Sequence, residues 1–589
     1  MGQVQLSIAG VPQQREPALD LAVLFFSWLM LASAATWAEA PAARATAVSS
    51  QNTKPPVAAI ATAHPLATEA GREILTAGGN AFDAAVAISA ALAVTEPTGS
   101  GLGGGGFYLL HRASDTKDVF LDARETAPAA AQRDMYLDKQ GNPVKGLSWN
   151  GPLAAGIPGI PAALTHLTQR YGKLPLAKTL APAIRFAREG FPVDDRYRAM
   201  ARFRAETLQG SPQAAHTFLL NGDIPPVGTV IRQPALATTL ETIAKNDTAF
   251  YRGPLADRLV AAVQAAGGIW SKEDLVKYQV VERTPLKGQF RGITVISAPP
   301  PSSGGVALLT MLNILAGFEL DKLDEVTRTH LTVEAMRRAY RDRAIYLGDP
   351  DFVNVPVERL IHPFYAEGLR AAIRLDKVTA SAALPGLPDF SQGPNTTHFS
   401  VLDQDGNRVA ATLSINLPFG SGFVAGDTGV LLNNEMDDFS VKPGVPNAYG
   451  LVGEDANAIA PGKRPLSSMT PTFLETADRV GILGTPGGSR IITMVLLSTL
   501  EFAAGTDPGK WVSRGRYHHQ FLPDVIQYET DALSDETKTG LARLGHELNP
   551  VERNFGNMQA ILWDRKAGVV QGASDPRGIG SAIRVPERP

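Results

Sequence analysis

A single residue can supply a nucleophile and its own base, and Thr396, in Asn395-Thr396-Thr397-His398-Phe399-Ser400, has the type to do so. If the chain is cut between Asn395 and Thr396, Thr396 carries both a hydroxyl and a free α-amine. Such an amine ordinarily titrates near pH ~7.7–8.0, so a useful fraction is neutral near pH ~7. It can take the proton of its own hydroxyl, directly or through one water, and no separate histidine is required. Read alone, Thr396 and Thr397 are ordinary β-branched strand residues. The next hundred residues change that reading: Ser414-Ile415-Asn416, Asn433-Asn434-Glu435-Met436-Asp437-Asp438, Pro465-Leu466-Ser467-Ser468 and Pro486-Gly487-Gly488-Ser489-Arg490 follow in order. Together they describe a hydroxyl nucleophile, a polar cradle for an amino-acid head group, and a glycine pair. Glycine lets the backbone approach closely, so two N–H groups can face a developing alkoxide.

The elements that must position these residues are partly legible. Thr397 to Leu402 alternates, Asp403 to Asn407 is a turn, and Arg408 to Ile415 resumes the alternation, which predicts a hairpin whose first strand begins at Thr396. Gly78 to Val94 predicts a buried helix with Asn80 as its N-cap. The loop Gly101 to Gly106 formally matches a dinucleotide-binding pattern, but a helix precedes it and a strand follows it, the reverse of what that motif needs. Close backbone packing is the better reading. Leu174 to Glu282 is mostly helical, and Pro299 to Gly305 is a rigid turn opening another helix. The run Arg337 to Arg343 reads as charges on a solvated helix face, and residues 376–394 read as an exposed, mobile segment.

Bulk properties exclude several chemistries. The 589 residues include no cysteine, which rules out disulfides and thiol chemistry, and a net charge of −3 without a basic stripe argues against nucleic acid. Ten scattered histidines form no metal motif, so neither metal nor cofactor is expected. Leu21 to Ala38 is uncharged with a strongly apolar centre, followed by small residues. That order predicts a signal peptide over 1–38, cleaved after Ala35 or Ala38, then a disordered leader over 39–55. An uncleaved anchor is the alternative, because the stretch nearly reaches the roughly 20 residues a span needs.

The motifs, taken in order, closely resemble the γ-glutamyltranspeptidase family of N-terminal-nucleophile hydrolases. The matching pieces are Thr396 to Ser400, Leu432 to Ser440, Lys463 to Met469, Pro486 to Arg490 and Ala573 to Arg577, with Gly78 to Asn80, the glycine loop, Arg124-Glu125 and Pro299 to Gly305 upstream. The resemblance implies an α+β fold, a four-layer α-β-β-α sandwich shared by a large subunit (56–395) and a small one (396–589). It implies Thr396 as nucleophile for self-cleavage after Asn395 and for attack on a γ-glutamyl amide. Arg124 would grip the substrate α-carboxylate with Ser467 and Ser468, while Asn416, Glu435 and Asp438 would hold its α-ammonium. Gly487 and Gly488 would form the oxyanion hole, Ser414 would stand where many relatives carry an assisting threonine, and Tyr449 would belong to a lid. His518 and His519 are family-like too, with no catalytic role assigned.

The implied substrates are glutathione and other γ-glutamyl compounds, with water, amino acids or dipeptides as acceptors, and the implied location is periplasmic or secreted. Two alternatives stay open at this stage: a glutaryl or cephalosporin-type acylase, and an inactive, uncleaved binding homologue.

Overall fold

The structure, a computed structural model, describes residues 54–384 and 396–586. The signal peptide expected at 1–38, all but the last two residues of the leader, and Asn395 lie outside the described residues.

Asn80 accepts from the amides of Phe82 and Asp83 at 3.0 Å, and the Asp83 carboxylate accepts from the Asn80 amide at 2.9 Å. This reciprocal cap starts the helix Ala81–Thr95, whose fifteen residues are all buried. A helix apolar all round belongs inside a core, and here it lies against the first of two large sheets. That sheet has seven strands, in the order Ser581–Val585, Ala58–Thr62, Thr397–Leu402, Arg408–Ser414, Gly105–Arg112, Lys117–Ala123 and Val281–Arg283. The second has six: Val569–Ser574, Gln559–Asp564, Arg479–Gly484, Thr472–Glu475, Ile293–Ser297 and Leu286–Phe290. The neighbouring strands of both sheets pair antiparallel.

Strand alternation decides what each face meets. Phe399 and Val401 join Ile60, Tyr108 and the helix Ala81–Thr95 in one apolar cluster. Leu402, Ala59 and Ala61 join the second sheet and the helices Gly304–Leu315, Glu325–Tyr346 and Ile491–Ala503 in another. Ser400 bridges the two sheets directly, its hydroxyl reaching the carbonyls of Ile482 and Gln559 at 3.3 and 3.2 Å. His398 packs against Gly484 of the second sheet, where an added Cβ would overlap the imidazole. Gly484→Ala is therefore expected to destabilise the protein by about 1–3 kcal/mol, the usual cost of overpacking a core. The urea midpoint reads this directly, and an unchanged midpoint would contradict it.

Two expectations are corrected. The Arg337–Arg343 run is not a solvated face: Arg337, Arg338 and Arg343 are all buried. Arg337 and Arg338 close on Glu334, and Arg337 also pairs with Asp524. Charge density on a helix marks a surface only when the fold brings no buried carboxylate to it, and here it does. Residues 376–384, expected to be mobile, are tied down: Thr379 donates to Glu334 at 3.1 Å, Ser381 to Asp524 at 2.6 Å, and Val378 to the Leu544 carbonyl at 2.9 Å. The rest of that segment lies outside the described residues.

Candidate active site

Thr396 sits just ahead of the strand Thr397–Leu402, nearly fully buried, and lines a small pocket. Arg124, Asn416, Asp438, Ser467 and Ser468 line the same pocket, and Ser414, Tyr449, Gly488 and Arg343 are also in its wall. Glu435 and Gly487 adjoin it. Residues spread over more than 360 positions thus converge on the threonine.

Arg124 follows the strand Lys117–Ala123, and its Nε donates to the Pro465 carbonyl at 3.2 Å. One terminal nitrogen meets Glu435 at 2.7 Å and Glu125 at 3.7 Å, while the other pairs with Asp438. Three carboxylates around one buried cation are an excess of negative charge. Burial pushes both Glu125 and Glu435 above the usual carboxylate range, with repulsion from neighbouring carboxylates adding to it. Asn416 lies at φ +69°, a left-handed conformation asparagine tolerates better than most residues. Its side-chain amide donates to the Asn434 carbonyl at 2.9 Å, and its Oδ1 is buried without a hydrogen-bond partner. A buried acceptor beside two carboxylates is an environment for a small cation.

The loop carrying Ser467 and Ser468 is braced by the Pro299–Gly305 turn. Ser303 donates to the Ser467 carbonyl and Ser302 to that of Met469, both at 2.6 Å. Arg343 reaches the same loop, donating to Ser303 at 3.0 Å and to Ser468 at 3.3 Å. Its burial lowers it to about 10, leaving it cationic at neutral pH. A cation donating to the Ser468 oxygen biases that hydroxyl to act as a donor toward the pocket. Sequence reasoning missed Arg343 because it was read as part of a surface charge run.

Gly487 and Gly488 have φ of +146° and +57° and lead into the helix Ile491–Ala503. Helix N-termini leave amides without intrahelical partners, which suits an anionic oxygen. Tyr449 lies over Gly488, where any Cβ would strike its ring, and its hydroxyl donates to the Asn416 carbonyl at 2.8 Å. Asp437, also missed, ties this covering loop down. It accepts from Ser148 and Trp149 at 2.7 Å and from the Ala448 amide at 2.9 Å. Burial pushes its carboxyl up to about 7 against the pull of those donors.

Among the described residues, no histidine lines the pocket. Burial holds His398 near 3 and His519 near 4, and holds His518 well below its ordinary value. NMR of the ring nitrogens is expected to find all three neutral from pH ~5 to ~9, well above these depressed values; a charged ring in that window would contradict it. One buried group, His330, Glu334 and His546, brings its ligand atoms within 4.8 Å of one another. Glu334 already serves two arginines and His330 bonds His546 at 2.7 Å, so the group is internally paired.

Comparison with known proteins supplies independent evidence. A family model described as Gamma-glutamyltranspeptidase matches residues 67–585. A glutathione hydrolase proenzyme of Escherichia coli (strain K12) is 42% identical over 529 residues, covering 88% of this chain and 90% of that protein. Among solved structures, a cephalosporin acylase from Bacillus halodurans aligns with TM-score 0.79 at 31% identity, covering 90% of this chain and 96% of that one. The γ-glutamyltranspeptidase of Helicobacter pylori aligns with TM-score 0.53 at 39% identity, covering 55% of this chain and 93% of that one.

Proposed function

The chain belongs to the γ-glutamyltranspeptidase family, and from that premise we propose how its own residues carry out γ-glutamyl transfer and hydrolysis. The observation that carries the reading is the convergence of Thr396, Arg124, Asn416, Asp438, Ser467 and Ser468 on one pocket. The chain cleaves itself between Asn395 and Thr396, giving a large subunit (56–395) and a small one (396–589). The two stay joined, because the seven-stranded sheet interleaves strands from both sides of the cleavage point. Two facing sheets with helices against their outer faces support the four-layer sandwich of this hydrolase type.

In turnover, the Thr396 amine accepts the hydroxyl proton as the oxygen adds to the γ-glutamyl carbonyl. The carbonyl becomes an oxyanion facing the amides of Gly487 and Gly488. Collapse breaks the amide bond, the proton passes to the leaving amine, and the glutamyl group remains as an ester on Thr396. Water or an acceptor amine then adds to the ester by the same steps and frees the hydroxyl. Arg124, Ser467 and Ser468 bind the α-carboxylate, and Asn416, Glu435 and Asp438 bind the α-ammonium. Glutathione is the leading donor, with amino acids and dipeptides as acceptors. Export through residues 1–38 to the periplasm or beyond is part of the proposal, and a cytoplasmic alkaline-phosphatase fusion carrying residues 1–45 would refute it.

The likeness to a cephalosporin acylase raises a glutaryl substrate as a second reading. It suits the site less well, because a glutaryl group has no ammonium for Asp438, Glu435 and the open Asn416 acceptor. A denaturing gel with N-terminal sequencing tests the main reading. Two bands are expected, the smaller beginning Thr-Thr-His-Phe-Ser, and a persistent full-length band would overturn it.

A further inference from the structure

The strand that carries the nucleophile begins at the edge of its pairing. Its ladder with Arg408–Ser414 starts at Thr397, opposite Leu413, and its pairing with Ala58–Thr62 starts only at Phe399, opposite Thr62. On the reading above, cleavage turns this edge into a chain terminus. Chain termini are poorly ordered unless tied down, whereas a catalytic group must be held within about 0.5 Å of its productive position.

The tie comes from the face opposite the pocket. Thr397, fully buried, donates its hydroxyl to the Glu96 carboxyl at 2.5 Å. Glu96 ends the helix Ala81–Thr95, and its carbonyl accepts from the amides of Gly99 and Ser100 at 2.9 and 3.1 Å. The turn so formed presses on the nucleophile itself: a Cβ at Gly99 would stand 3.2 Å from the Thr396 carbonyl oxygen and 3.3 Å from the Glu96 carboxyl carbon. Glycine 99 therefore lets the turn lie against both residues 396 and 96. Burial raises the Glu96 carboxyl, and the Thr397 bond and nearby Arg196 oppose that rise. Helix, turn and carboxylate all lie upstream of the cleavage point, and Thr396 and Thr397 lie downstream.

We propose that Glu96 is a positioning residue that pins the newly made N-terminus, through a hydrogen bond from Thr397 that crosses from the small subunit to the large one. This rests on the self-cleavage reading. Before cleavage the residues on both sides of Thr396 are joined to it. Afterwards the Glu96–Thr397 bond and the Gly99 contact help to hold the amine and hydroxyl over the pocket. The head-group contacts, made by other residues, do not depend on Glu96.

The test uses the full chain with Glu96→Ala, Thr397→Val, and the conservative Glu96→Gln, whose amide oxygen still accepts from Thr397. Glu96→Ala and Thr397→Val are expected to cleave to completion, yet to lose about 10- to 100-fold in kcat, the scale of a misplaced reacting group. KM for a γ-glutamyl anilide is expected to stay within about twofold, since the binding contacts are untouched. A broad aminopeptidase is expected to trim Thr396 from both variants and spare the wild type. Glu96→Gln is expected to recover kcat to within about threefold, as a neutral acceptor replaces a charged one. If Glu96→Ala fails to fold, Thr397→Val decides alone, since it removes only the hydroxyl. Unchanged kcat with a protected terminus in the variants would overturn the proposal, as would a rise in KM with kcat intact. Failure of the wild-type chain to cleave would instead sink the reading of Thr396 on which it rests.

Discussion

Thr396→Ala is expected to leave one full-length polypeptide with no measurable γ-glutamyl transfer. The same hydroxyl serves twice, first on the peptide bond before it and then on the substrate amide, so its loss blocks both steps. Removing the nucleophile of a concerted catalytic unit typically costs on the order of 10⁶-fold in kcat, which places the residue activity at background. The change is small and the site nearly closed, since Thr396 is only 3% exposed, so the fold is expected to survive. Thr396→Ser keeps a hydroxyl and an amine and is expected to cleave and turn over, more slowly, because the lost methyl no longer restricts the side-chain rotamer. A gel, intact mass and anilide hydrolysis read all of this together. Two bands in Thr396→Ala, or turnover above about 1% of wild type, would show that another group does the chemistry, since a lost nucleophile leaves far less than that.

Asp438→Asn is expected to cost most of the preference for γ-glutamyl over glutaryl substrates. Arg124 pairs with Asp438 and Glu435 directly. A zwitterionic head group can exchange into that cluster with every charge answered, carboxylate to guanidinium and ammonium to carboxylates. A glutaryl group takes the guanidinium and strands the two carboxylates in a buried site, which is costly. Truncating one partner of such a pair costs about 2–5 kcal/mol, so kcat/KM for a γ-glutamyl anilide is expected to fall roughly 30- to 5,000-fold. The glutaryl anilide, whose binding no longer strands that charge, is expected to hold its rate or gain. Arg124→Lys is expected to harm both substrates, because a point charge cannot reproduce the planar fork that a carboxylate meets. Equal losses on both anilides in Asp438→Asn would mean that the residue shapes the pocket without recognising an ammonium.

The local elements were the most readable part of this chain. Asn80 before an apolar run, the alternation on both sides of Asp403–Asn407, and a glycine loop in the wrong order for a nucleotide each carry a short-range signal, and the structure contains the corresponding helix, hairpin and close packing. The site residues were legible only as a set of spaced motifs, because no single one of them has a local signature. Arg343 was read wrongly for a definite reason. Its neighbours in sequence are charged, but its neighbours in space are Ser303 and Ser468, 40 and 125 positions away.

The sequence by itself determined which groups are available: a threonine able to become its own base, an arginine and acids for a zwitterion, glycines where backbone must come close, and no thiol at all. Those follow from side-chain chemistry, which travels with the residue. The tertiary structure alone decided which charges are buried, that Arg124 already answers Asp438 and Glu435, that Asp437 anchors the covering loop, and that Glu96 meets Thr397 across 301 positions. Such pairings depend on how two sheets and their helices stack, and stacking is set by the whole buried surface, which no local window of sequence contains.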